Sequence, residues 1–356
     1  MLKISAPRGT ALRRGLPFGS VMATGGASTL AARCGHPVLV APLLALAVLQ
    51  ALWVTAAGIL RHGVEFRSGW PAWLAIGPAN EHSGIHTVPL GLAVLTSGLV
   101  SLRASGNPPW VLPAAEICLG LTWLMTIACF GRFVWPLASH GLALKLLDGT
   151  WFLVPAALLG DGIATAGVSA QVPAHGQSVL ALIALGSVLL GSAAYWTLAA
   201  IALARVRRHG LGGARLAPWW IAMGCAGLAA AAMGRMLQDH TLAPLFRVPL
   251  ADVAITTAGF AAVLCIPTLS WGIWFLFRHC RFRAAAAWPP AFSTAVFALG
   301  FLQIGEVLRL SPFRFAGVGV AYTALGFWTA TSCWNLKCVC STLVRRLARI
   351  SAAIQT

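Results

Sequence analysis

Residues 151–169 read WFLVPAALLGDGIATAGVS, and residues 178–204 read SVLALIALGSVLLGSAAYWTLAAIALA. Both are long enough to cross a bilayer core of about 30 Å, which takes roughly 17–25 residues of helix. Their runs are continuous and rich in Leu and Ala, so they read as helices and not as the short alternating segments of a barrel. The two differ in kind. The first opens on Pro155 and carries Gly160, Gly162 and Gly167, whereas the second is bulky, as in Leu182-Ile-Ala-Leu185.

Outward from this pair the same contrast recurs. Spans are expected at 16–33, 38–60, 85–102, 110–130, 151–169, 178–204, 217–234, 252–277, 288–308 and 315–335. Each odd span has Pro near its start and small residues after it. Pro17 precedes Gly25 and Gly26, Pro89 precedes Gly91 and Gly98, Pro218 precedes Gly224, Gly227 and Gly234, and Pro289-Pro290 precede Gly300. Small residues let helix backbones approach closely, and Pro frees a carbonyl that a neighbour or a wet cavity must satisfy. The pattern predicts five hairpins, with small, kinked odd helices inside a ring of bulky even ones and a central pathway between them. The fold class is an all-α polytopic membrane protein of about ten helices.

Composition agrees. Of 356 residues, 58% are hydrophobic and only 9% are charged, against about 25% charged in a soluble domain. The net charge of +17 reflects basic residues gathered in cytoplasmic loops and not a nucleic-acid surface. With the N-terminus inside, 19 of the 25 Lys and Arg fall in inside segments and six outside. This bias predicts ten spans with both termini cytoplasmic, and the expected location is the plasma membrane. The expected division is an N-tail at 1–15, a membrane domain at 16–335 and a basic C-tail at 336–356. The nine Cys are scattered and imply no disulfide framework.

Four segments resemble the tellurite-resistance/dicarboxylate transporter family, which includes bacterial tellurite-resistance proteins, fungal malate and sulfite transporters and plant guard-cell slow anion channels. They are Leu16-Pro-Phe-Gly-Ser-Val-Met-Ala-Thr-Gly-Gly-Ala-Ser28, Asp148-Gly-Thr-Trp-Phe-Leu153, Ala217-Pro-Trp-Trp-Ile-Ala-Met-Gly-Cys225 and Ala295-Val-Phe-Ala-Leu-Gly300. The resemblance implies a pseudo-fivefold pore lined by the odd helices, often in a trimer, and occluded by a ninth-helix phenylalanine, here Phe297. Ala298 departs from the family's usual Pro beside it.

Polar residues in the spans supply the other candidates, because ionisable groups there are costly and commonly functional. Asp161, between Gly160 and Gly162, is a candidate for the pore wall or for proton coupling, as are Gly160, Gly162, Gly25, Gly91, Gly224 and Gly300 for the wall. Glu306 lies three residues before Arg309, so a local ion pair or an outer-mouth charge is expected. Arg205, Arg207 and Arg208 are the densest basic cluster and a candidate inner mouth. Glu116 and Asp252 are expected away from the pore, and His82 and His86 at the interface. No Gly-Lys-Ser/Thr phosphate loop, His-Glu-x-x-His zinc site or Gly-x-Ser-x-Gly elbow is present, so ATP-driven and hydrolytic chemistry have no motif to rest on. The expectation is transport of a small anion such as a C4-dicarboxylate, sulfite or a halide, with no cofactor or metal. A proton-coupled carrier using Asp161 and a membrane haem protein stand as alternatives.

Overall fold

The computed structural model describes residues 18–62, 66–67, 70–71, 86–104, 108–140, 147, 149–210, 219–238, 243–279 and 288–354. Among them are ten long α-helices: α1 Gly19–Arg33, α2 Val40–His62, α3 Thr87–Ala104, α4 Val111–His140, α5 Leu153–Ser169, α6 Ala174–His209, α7 Trp220–Leu237, α8 Ala243–His279, α9 Trp288–Val307 and α10 Ser311–Ile354. Phe66–Arg67 and Trp70–Pro71 form a two-residue antiparallel ladder between α2 and α3. Eight of the helices, α2 to α9, are long and apolar enough to cross a membrane. The protein is an all-α polytopic membrane protein, as its sequence predicts. The expected N-tail, Pro17, Pro218 and His82 lie outside the described residues. The segment expected as a C-tail continues α10 as helix to Ile354.

Helix ends are set by local chemistry. The α1–α2 turn closes with the His36 amide donating to the Ala31 carbonyl at 2.8 Å. Gly35 there adopts φ +81°, the left-handed geometry that glycine takes without a Cβ penalty. The α9–α10 turn uses the same geometry, with the Leu310 amide on the Gly305 carbonyl at 3.0 Å. Here the left-handed position is occupied by Arg309 at φ +55°.

Each odd helix packs on the even helix that follows it, giving five hairpins. The odd helices then touch in the cyclic order α1, α3, α5, α7, α9 and back to α1, so the inner ring closes. Every even helix also touches the next odd helix, with α10 reaching α1. The outer layer thus fills each groove of the inner one. A repeated hydrogen bond marks this relation. Trp123 Nε1 of α4 donates to Thr165 Oγ1 of α5, and Trp328 Nε1 of α10 donates to Thr24 Oγ1 of α1, both at 3.0 Å.

Burial separates the two layers. In their most apolar stretches α5, α7 and α9 are 94%, 94% and 83% buried, whereas α2, α4 and α8 are 17%, 28% and 28% buried. The even helices display Trp53, Leu52, Ile117, Ile127 and Ile266 on the outside. Such a contiguous apolar face is stable against lipid, not water.

Prolines behave differently from expectation. Pro89, Pro155 and Pro290 are each the third residue of their helix. There a proline removes an amide that has no helical partner, so it starts a helix and does not kink it. Pro249 and Pro267 lie inside a helix, and that helix is the outer α8. The inner helices are therefore small, without an interior proline kink in α3, α5 or α9.

Candidate functional site

The glycines of the inner helices sit where helices meet. A Cβ on Gly25 would collide with the Val94 side chain, and one on Gly91 would fall 3.1 Å from Phe18. Gly160 faces Leu90 and Ala93 of α3, and Gly162 faces Val188 of α6 at 2.6 Å. The α7–α9 contact is the closest. Gly224 meets the Ser293 Cα at 2.8 Å, Gly227 meets the Phe297 backbone, and Gly300 meets the Gly227 carbonyl. At Gly25, Gly91, Gly160, Gly162, Gly224 and Gly300 the missing side chain is space that a neighbouring helix fills. Their role here is to let the ring close tightly.

Asp161 lies between Gly160, which faces α3, and Gly162, which faces α6. At 100° per residue its side chain therefore points outward between those helices, toward α4. It is fully buried, and neither carboxyl oxygen has a hydrogen bond. The Thr126 hydroxyl of α4 is beside it, close enough to act on the carboxyl but outside hydrogen-bonding geometry. The placement expected for a pore-wall carboxyl is thus replaced by one at the α4–α5 interface, next to the Trp123–Thr165 bond.

Phe297 is buried in α9. Its ring packs on Phe301 with centroids 4.6 Å apart, and Phe301 packs on Phe313 of the outer α10 at 5.1 Å. These rings form a row from the inner helix toward the outer layer.

The expected Glu306–Arg309 pair does not form. Glu306 Oε2 instead accepts from Arg33 Nη1, at the end of α1, 273 positions away in sequence. Arg33 Nη2 also donates to Gln303 Oε1 of α9 at 2.7 Å. Spacing along one helix proposes the i, i+3 partner, but the left-handed turn at Arg309 takes that residue off the helix. The ring closure brings α1 to Glu306 instead. The signal available in the sequence was the basic residue in the last turn of an inner helix, which recurs as Arg33, Arg103 and Arg235.

The basic cluster at the other end divides. Arg205 is buried, donates to the Gly210 carbonyl at the end of α6, and stacks over Trp219 with its guanidinium carbon 5.8 Å from the ring centroid. It caps α6 and ties it to the start of α7. Arg207 and Arg208 are exposed. His86 is buried at the start of α3, while Glu116 and Asp252 are exposed on outer helices.

Five hairpins closed into a two-layered ring, with an apolar outer layer, define a polytopic helical membrane protein. The sequence model of the voltage-dependent anion channel (SLAC1) family matches residues 17–335, and the chain belongs to that family. No curated relative matches the chain. The family consists of anion channels and transporters and not enzymes, in agreement with the resemblance read from the four segments.

Proposed function

We propose that small anions cross the membrane along the axis of the inner ring. The observation that carries this reading is the closed cycle α1, α3, α5, α7, α9, five helices that run in one direction and are sheathed on the outside by five others. On α5 every residue from Leu153 to Ser169 is buried except Ile163, and on α9 Leu299 alone interrupts the buried run from Trp288 to Gly305. Ile163 follows Gly162 by a further 100° of turn, on the side of α5 opposite Asp161, and its accessibility supports an axial path at that level. With all ten helices crossing, both termini fall on one side. The Lys and Arg asymmetry supports a cytoplasmic side for both, and the plasma membrane is the proposed location. A homotrimer rests on the family resemblance alone.

The test is flux into proteoliposomes of the purified protein, with chloride, nitrate, sulfite and malate and with or without a proton gradient. Flux that follows the anion gradient and the membrane potential is the expected result. Absence of flux for every anion refutes the reading. Within it, Phe297 is proposed as the constriction, and Phe297→Ala raises conductance several-fold. A second reading comes from the row Phe297–Phe301–Phe313, which packs the ring toward α10. Unchanged conductance in a folded variant selects that packing role.

A further inference from the structure

The rim formed by the C-terminal ends of the inner helices holds a set of groups that transport as such does not require. Arg33 comes from the last turn of α1 and extends across the seam to α9, where Nη1 meets Glu306 and Nη2 meets Gln303 Oε1 at 2.7 Å. An arginine that only complemented the helix dipole would lie on its own helix's final carbonyls. This one is spent on side chains of another helix.

Gln303 is only 6% exposed. Its oxygen accepts from Arg33, which fixes the amide orientation, because the flipped amide would oppose two donors. Nε2 is then a buried donor with no partner. Gly234 of α7 lies against the Gln303 side chain, with its Cβ position 2.6 Å from Cγ. The next residue, Arg235, brings a second guanidinium to the same rim. Its Nη1 donates to Gln238 Oε1 at 3.1 Å. Arg33 and Glu306 keep 31% and 33% of their side chains exposed, so water and solutes reach the pair.

The Arg33 guanidinium held on Gln303, beside that residue's orphaned amide donor, is the chemistry of an anion site, and a carboxylate of the chain already occupies part of it. We propose that this rim binds a carboxylate or an oxyanion of similar size on Arg33 and Gln303 Nε2, and that Glu306 is a tethered competitor which the arriving anion displaces. A planar carboxylate suits the arginine fork, of which Glu306 now engages Nη1 alone. It also supplies the acceptor that Nε2 lacks. The inference deepens the transport reading and rests on it for the site's place on the path, though not for binding itself.

The experiment measures binding and flux separately on the full chain. Malate, sulfite and chloride are titrated into detergent-purified protein by calorimetry for the wild type, Glu306→Gln, Arg33→Gln and Arg33→Lys. Removing the competing charge is expected to tighten malate or sulfite binding about tenfold, the equivalent of one charge-assisted contact no longer contested. Arg33→Gln loses binding, and Arg33→Lys, which keeps the charge and the fold but not the fork, retains part of it. A purely structural latch predicts instead that Glu306→Gln and Arg33→Gln lower the melting temperature alike and leave anion affinity unmoved. That result, or Glu306→Gln binding no more tightly than the wild type, overturns the proposal. Binding with these signs but without flux leaves this site standing and refutes the transport reading. Flux without them does the reverse.

Discussion

The α7–α9 contact makes a graded stability prediction possible, because the inner and outer helices offer glycines of three kinds. At Gly227 an added methyl would meet main chain on the facing helix, with Phe297 N at 2.9 Å and the Val296 carbonyl at 3.1 Å. Main chain in a packed helix cannot turn aside, so α7 and α9 must separate. Overpacking of this kind costs about 1–3 kcal/mol, and a backbone obstacle belongs at the upper end. The substitution also recovers about 0.5–1 kcal/mol of helix propensity. Gly227→Ala is therefore destabilising by roughly 1–2 kcal/mol net. At Gly98 the obstacle is the Leu44 Cδ1 methyl at 2.6 Å. That is a side-chain tip, which yields for about 0.5–1.5 kcal/mol, so Gly98→Ala comes out near zero. At Gly120, on the lipid face of α4, nothing lies within 4 Å, and Gly120→Ala keeps the whole propensity gain. The assay is thermal unfolding of the three purified variants in one detergent, monitored by intrinsic tryptophan fluorescence. The expected order of melting temperature is Gly120→Ala above Gly98→Ala above Gly227→Ala. If Gly227→Ala melts at or above Gly98→Ala, the close approach of α7 to α9 is not as described and the reasoning fails.

Other expectations follow from the same geometry. Asp161→Asn leaves the pH profile of anion flux unchanged, since the carboxyl faces α4; loss of a pH response in proteoliposomes would put Asp161 on the path and favour the proton-coupled carrier. Arg309→Gly stabilises the protein by up to about 1 kcal/mol, because it removes a side chain from a left-handed backbone position. A lowered melting temperature would show that the Arg309 side chain has a partner worth more than the strain.

Ten helices and their division into small and bulky sets are legible in the sequence because each depends on composition within one span, whereas α8 begins nine residues before its expected span and α10 runs 19 residues past its own. Span 85–102 and α3 at Thr87–Ala104 differ by two residues at each end. The direction a side chain faces is a different matter. Asp161 and Gly160 share a span and a wheel but look toward different helices, and only the order of helices around the ring says which of them looks outward. The partner of Glu306 was beyond reach for the same reason. Arg309 is near in sequence and Arg33 is not, yet the turn geometry removes the first and ring closure delivers the second. Pro89 and Pro155 were legible as lying near a helix start but not as first-turn residues, because a shift of two residues in the boundary changes a kink into a first turn.

Closure of the ring by α1 against α9 also bears on how the protein is made. The first inner helix to leave the ribosome is the shortest, with 15 residues, and one of its two inner neighbours is the last to be synthesised. Until the fifth hairpin arrives, Thr24 lacks Trp328, and Arg33 lacks both Glu306 and Gln303. Early hairpins must therefore wait in the bilayer as an open crescent whose leading edge is exposed. Because α10 meets α1 as α4 meets α5, the outer layer covers that seam as it covers the one between α3 and α5. A chain rewired to begin at the second hairpin and end with the first would build the same ring while giving α1 a neighbour already in place.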